Sequence, residues 1–190
     1  MLAGVPRPTP ADLVAARDRV LPDILGPGLR VLFCGINPGL WSAAVGHHFA
    51  RPGNRFWPTL HRAGFTPRQL RPDEQAELPG YRLGLTNLAP RATARADELR
   101  PAELLAGVAL LRDKLTRHQP EWLAVLGIGA YRTGFGQPRA ALGEQPEPVG
   151  RTRIWVLPNP SGLNGAFPPD RLAAQFTRLR ERVALPDARG

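Results

Sequence analysis

The sequence predicts a three-layer α/β sandwich, in which a central four-stranded, mainly parallel sheet lies between helices. Two observations carry that expectation. Four apolar segments, RVLFCGI (30–36), RLGLTNL (82–88), WLAVLG (122–127) and RIWVLP (153–158), show no clear two-residue alternation, as suits strands buried on both faces of a parallel sheet. Amphipathic helical patterns run between and after them, and strand–helix alternation of this kind builds a sheet covered by crossover helices.

In chain order, the first stretch carries Pro6, Pro8 and Pro10 and reads as a flexible tail over about 1–9, as does 186–190 at the other end. The first strand stops on Asn37 and runs into Pro-Gly. The second ends near Asn87 and leads into PAELLAGVALLRDKLTRHQ (101–119), where Leu104, Val108, Leu111 and Leu115 share one face and Pro101 suits the first turn. The third strand is followed by GIGAY and the fourth by NPSGLN. A last helix, PDRLAAQFTRLRERV (169–183), aligns Leu172, Phe176, Leu179 and Val183. No internal repeat and no second domain is visible, so residues 1–190 are read as one domain.

Composition narrows the classes. There is no run of eighteen apolar residues and no charged-then-apolar leader, so a soluble cytoplasmic protein (nucleoid-associated if prokaryotic) with no membrane partner is expected, as a monomer. Cys34 is the single cysteine, which excludes an internal disulfide, a four-cysteine zinc site and a cysteine-ligated iron–sulfur cluster. The net charge is +9, the sequence pI is about 11.3 and Lys114 is the only lysine among 25 basic residues. Such an excess of arginine points to a polyanionic partner, of which nucleic acid is the commonest.

In open parallel sheets, ligands bind beyond the carboxyl ends of the strands. Four segments belong there: NPGLWS, TNLAPRATARADE, GIGAY and NPSGLN. Two of them open with Asn-Pro and contain Gly-Leu. The first lacks the Gly-Lys-Ser/Thr ending of a nucleotide-binding loop, and GIG alone is too short to mark a dinucleotide site.

GINPGL, followed by FARPGNRFW and much later by VLPNPSGLN, resembles the mismatch-specific uracil/thymine DNA glycosylase family in order, spacing and flanking strands, over about residues 30–183. The resemblance implies the same sheet between helices. It implies a monofunctional glycosylase that flips out and hydrolyses uracil, and to differing degrees thymine or etheno-cytosine, from mispairs with guanine in double-stranded DNA, which starts base excision repair. No cofactor and no metal are implied.

The chemistry explains how a site can work without paired carboxylates. Uracil leaves as a delocalised anion, so the acid–base pair of ordinary glycosidases is not obligatory. A neutral amide can hold a water near C1′ and supply geometry rather than basicity. By the resemblance, Asn37 has that task, and backbone N–H groups from Asn37 to Leu40 stabilise the leaving uracil in the manner of an oxyanion hole. Phe49 corresponds to the aromatic that stacks on the flipped base, and Gly39 and Ser42 to positions beside it. Asn87 is the candidate for reading the uracil edge. NPSGLN corresponds to a wedge that fills the vacated stack and reads the widowed guanine, through Asn159, Ser161, Gly162, Leu163 and Asn164. Gly165 departs from relatives that carry arginine there, and Trp41 stands where a small residue is common.

Plainer readings stand beside these. Asn37 can cap a turn before Pro38, and Phe49 can simply pack in the core. His47 and His48 are adjacent, with no acid or thiol close in sequence, and read as solvent-facing contacts to DNA rather than a metal site. Arg51, Arg55, Arg91 and Arg95 fall on rim loops as phosphate contacts or solvated charges. Asp97 reads either as a general base for the water or as a cap of the following helix. Lys114 falls near the end of a helix, away from the rim, which disfavours Schiff-base chemistry. Ser161 lacks the surroundings of a serine nucleophile. A non-catalytic nucleic-acid-binding module on the same scaffold and a nucleoside or nucleotide hydrolase are the rival functions.

Overall fold

The computed structural model describes residues 7–189, so the first six residues of the expected N-terminal tail and Gly190 lie outside the described residues. Within them, Thr9 caps the short helix α1 (Pro10–Ala15) through a reciprocal pair of bonds with Asp12. At the other end, Ala188 N–H donates to Gly64 O, and Arg189 ion-pairs with Asp187.

The central sheet is built from β1 (Val31–Gly35), β2 (Leu83–Asn87), β3 (Trp122–Leu126) and β5 (Arg153–Leu157), all parallel, in the order β2–β1–β3–β5. A fifth strand, β4 (Gly143–Glu144), pairs antiparallel with the edge of β5. A strand of two residues, one of them glycine, carries no readable period in the sequence. The four long strands match the apolar segments. Their residues alternate between two cores: Val31 and Phe33 face one cluster, Leu32 and Cys34 the other.

Each face is closed by helices. On one side, α3 (Phe56–Arg62) and α6 (Pro169–Arg182) bury Phe56, Leu60, Phe176 and Leu179 against Phe33. Phe33 stacks on Phe176 and meets Phe56 edge-on. A fully buried aromatic of this kind contributes roughly 1.5–3 kcal/mol. On the other side, α4 (Pro101–His118) and α5 (Ile128–Gly134) cover the sheet, with Leu104, Val108, Leu111 and Leu115 buried as their spacing predicts. Burial also pushes the Cys34 thiol up to about 12, which leaves it protonated and inert.

The strand order locates the site. From β1 the chain moves outward to β2, then returns past β1 to β3 and continues to β5 on the other side. The topological switch therefore lies between β1 and β3. Loops leaving neighbouring strands in opposite directions open a crevice at that point. The short helix α2 (Leu40–Val45) follows β1 directly and forms one wall of it.

Candidate active site

A hollow occupies that crevice. It is bordered by the turn Gly35–Gly39 after β1, by Ser42, His48 and Phe49, by Asn87 at the end of β2, by Thr93, and by Asn159–Ser161 after β5. The two Asn-Pro turns, 122 residues apart from Asn37 to Asn159, therefore meet at one site. Among the described residues no aspartate or glutamate borders it.

Asn37 is held in one orientation. Its Nδ2 donates to Arg91 O at 3.0 Å and to Thr93 Oγ1 at 2.7 Å, and the Thr93 hydroxyl in turn donates to Arg95 O at 2.7 Å. A carbonyl only accepts, and the hydroxyl's proton is committed to Arg95, so the amide cannot be reversed. Oδ1 is left without a protein partner among the described residues, as the acceptor Asn37 can offer. The turn-capping reading of Asn37 has no hydrogen bond to support it, because a cap works through Oδ1 and among the described residues no backbone N–H donates to that oxygen, while both amide protons bridge to the distant 91–95 segment.

That segment corrects one expected donor. Leu40 N–H donates to Thr93 O and the Leu40 side chain packs with Ala16, Ala43 and Ala92, so Leu40 does not face the hollow. Pro38 has no N–H. The Asn37 and Gly39 N–H groups have no protein acceptor among the described residues. Ser42 is buried, and its hydroxyl accepts from Ala50 N–H.

Phe49 stacks on Phe56, with ring centroids 4.2 Å apart, and at φ 54° it adopts the left-handed backbone that aromatic residues rarely take. It borders the hollow while packing against the core, so both readings of this residue describe part of its surroundings. Gly35 explains how Phe49 and Asn87 fit together. A Cβ at Gly35 would lie 2.6 Å from Asn87 Oδ1 and 3.3 Å from the Phe49 ring. The amide of Asn87 borders the hollow and has no hydrogen-bond partner among the described residues, with its Oδ1 packed over Gly35. The sequence offered no reason to single out Gly35 or Thr93, because their partners are far away in the chain.

His48 departs from expectation. It is 2% exposed rather than solvent-facing, its Nε2–H donates to Pro22 O at 2.9 Å, and its carbonyl accepts from Trp57 Nε1. Burial lowers its pKa, so the ring is neutral at pH 7. Among the described residues no three side chains of metal-ligating type converge.

The second Asn-Pro turn is tied in place. Asn159 Oδ1 accepts from Ser161 N–H, Asn164 Nδ2 donates to Asn159 O, and Gly162 sits so close to Gly53 that a Cβ would meet the Gly53 carbonyl at 2.5 Å. Arg55 clamps the loop: its guanidinium donates to the carbonyls of Gly162, Asn164 and Phe167, and its N–H to Pro160 O. Leu163 projects from this hydrogen-bonded loop with 78% of its surface exposed, the highest value among the exposed large apolar residues described.

Three of the four rim arginines are consumed internally. Arg55 holds the loop, Arg91 pairs with Glu103 and Asp18, and Arg95 with Asp97. Each of these three therefore has a partner within the protein, which neither the phosphate-contact reading nor the solvated-charge reading included. Asp97 lies in a one-turn 3-10 helix (Ala96–Glu98), 64% exposed at its side chain, and does not border the hollow although Ala96 beside it does. The Arg95 guanidinium holds its carboxyl below the usual range. It caps nothing, since Arg100 occupies the N-cap of α4 and Glu103 closes the capping box. Lys114 lies away from the hollow, 2.7 Å from Asp23 Oδ2 and 3.1 Å from Thr86 Oγ1. The Trp41 ring does not border the hollow and lies beneath the Arg7 guanidinium.

Fold and site together define a three-layer α/β protein whose ligand hollow, at the sheet's switch point, is framed by two asparagine turns and flanked by an exposed leucine. The chain belongs to the Uracil DNA glycosylase superfamily, whose model matches residues 22–180. Members of that superfamily hydrolyse N-glycosidic bonds. The fold is similar to the solution NMR structure of a candidate uracil DNA glycosylase from Methanosarcina acetivorans, with a TM-score of 0.59, 18% identity, and coverage of 88% of this chain and 98% of that one. At that identity the likeness speaks for the fold.

Proposed function

We propose that this protein is a monofunctional DNA glycosylase that takes uracil out of a guanine mispair in double-stranded DNA and hydrolyses its N-glycosidic bond. The observation that carries the reading is the locked amide of Asn37 in a hollow whose border, among the described residues, holds no aspartate or glutamate. Oδ1 accepts a hydrogen bond from the attacking water and fixes its approach to C1′, which supplies the orientation term of catalysis without a base. Negative charge grows on the leaving uracil, where the Asn37 and Gly39 N–H groups stabilise it and no aspartate or glutamate opposes it. Phe49 stacks on the base and Asn87 reads its edge.

Mispair preference has two sources in this reading. A wobble pair costs less to open than a matched one. Leu163 on its clamped loop then fills the space the base has left, and the backbone at Gly162 and Leu163 faces the widowed guanine. The exposed leucine and the basic surface favour a duplex over a free nucleoside as substrate.

The test is excision from labelled duplexes carrying U:G, U:A, T:G or etheno-cytosine, at a stated salt concentration. Release of uracil from U:G is expected, with Asn37→Ala slowed on the order of 10²-fold or more while retaining affinity for abasic product. A wild-type protein that binds these duplexes and releases no base would replace this reading with the silent binding module.

A further inference from the structure

We propose that Arg51 is the phosphate-binding residue of the site, gripping the DNA backbone where the extruded nucleotide leaves the duplex. The inference rests on the glycosylase reading above and assigns the contact through which the strand is held.

Four arginines stand on the rim loops, and Arg51 differs from the other three. It is exposed and makes no side-chain hydrogen bond, ion pair or ring contact among the described residues, while Arg55, Arg91 and Arg95 are all engaged. A free guanidinium at a binding hollow is a donor fork with no acceptor, and phosphodiester oxygens match it in charge and geometry.

Its position supplies the second half of the argument. The turn Arg51–Asn54 is closed by Asn54 N–H donating to Arg51 O. This one turn contributes Arg51 and Asn54 to the border of the hollow, and Gly53 to the seat of the Gly162 backbone. It therefore bridges the place where the base enters and the loop whose Leu163 replaces it in the stack. A strand that sends one base into the hollow while Leu163 occupies the gap must carry its flanking phosphates across that bridge. Among the described residues Arg51 is the one arginine or lysine bordering the hollow, and no aspartate or glutamate on that border competes with the phosphate for it.

The experiment uses a uracil:guanine duplex for single-turnover excision and the matching abasic duplex for binding, with wild type, Arg51→Gln and Arg51→Lys. Because one phosphate contact contributes about 0.9 to the slope of log K against log salt, Arg51→Gln should flatten that slope by about this amount. The rate at saturating DNA should change little, and Arg51→Lys should restore most of the slope. Replacing the phosphates beside the uracil one at a time by neutral methylphosphonates should weaken wild type at one linkage and leave Arg51→Gln indifferent there. An unchanged slope in Arg51→Gln, or equal sensitivity of both proteins at every linkage, overturns the assignment. So does a loss confined to the saturated rate, which would place Arg51 in the chemistry. Failure of the glycosylase reading looks different: wild type itself then releases no uracil, whatever Arg51→Gln does.

Discussion

Asn37 Nδ2 lies 2.7 Å from the hydroxyl of Thr93, a residue 56 positions further along the chain. That bond, with the one to Arg91 O, decides which end of the amide a ligand meets. Thr93→Val keeps the shape of the side chain and removes the acceptor. A single hydrogen bond is worth about 0.5–1.5 kcal/mol, so single-turnover excision should slow roughly 3- to 10-fold while affinity for abasic product is retained. A wild-type rate in Thr93→Val would mean that the Arg91 carbonyl alone orients Asn37.

Gly35 should be intolerant of a single methyl. Its Cβ would collide with Asn87 Oδ1, and overpacking of this kind costs about 1–3 kcal/mol. Gly35→Ala should therefore lower the unfolding midpoint and depress excision together. Because the collision is with the end of a side chain, adding Asn87→Ala should recover much of the stability but not the activity. Strict additivity of the two substitutions in denaturant unfolding would remove the steric explanation.

The sequence disclosed what rests on apolar pattern and on unusual local motifs. The four long strands and helices α4 and α6 were legible because each buries a row of residues at a readable period. GINPGL and NPSGLN were legible because Asn-Pro-Gly and Asn-Pro-Ser turns after buried strands are uncommon. Short elements escaped: α2, α5 and β4 have too few residues to show a period. Long-range polar partners escaped for a different reason. Thr93 on Asn37, Arg55 on the 159–167 loop and Pro22 on His48 are fixed by tertiary placement, and nothing in the local sequence announces them. The same limit left Arg51 and Arg55 indistinguishable until one was seen holding three carbonyls and the other none.

His48 makes stability depend on pH. Burial lowers its pKa in the folded state, against the opposing pull of the Pro22 hydrogen bond and of Asp23, and His47 and Lys114 reinforce the shift. The unfolded chain takes up the proton first as pH falls, so the stabilising contribution is present above the unfolded histidine value of about 6.5 and declines below it. Denaturant unfolding between pH 5 and 7.5 should show this decline. His48→Gln, whose amide can still donate to Pro22 O, should flatten it, and an identical decline in the variant would move the cause elsewhere.

Gly165 marks a place where recognition can be strengthened. Apart from its two chain neighbours, no atom of the described residues lies within 4 Å of a Cβ built there, and the residue follows the clamped Leu163–Asn164 tip. Gly165→Arg should fold normally and bring a cation to the minor or major groove edge beside the opposing base. An arginine–guanine contact carries roughly 1–3 kcal/mol, so the preference for abasic duplex with guanine opposite, over adenine, should rise on the order of 10-fold. An equal gain with both opposing bases would show a phosphate contact instead.

Asp97 can be separated from the fold and then questioned about the chemistry. A helix cap would cost about 1 kcal/mol on replacement by alanine, but the N-cap of α4 is Arg100, closed by Glu103, and Asp97 holds only the exposed Arg95. Both Asp97→Ala and Asp97→Asn should therefore leave the unfolding midpoint unchanged, whereas Glu103→Ala, which opens the capping box and frees Arg91, should lower it. With stability untouched, the activity of Asp97→Asn reports on catalysis alone. Loss of a general base costs on the order of 10²–10⁴-fold, a drop no surface ion pair can mimic. The pH profile adds an independent constraint: an amide does not titrate, and the Asp97 carboxyl, held low by Arg95, stays ionised through neutral pH. The excision rate should therefore be flat between pH 6 and 8 in the wild type, and a sigmoid centred in that range would require a titrating group other than Asn37 and Asp97.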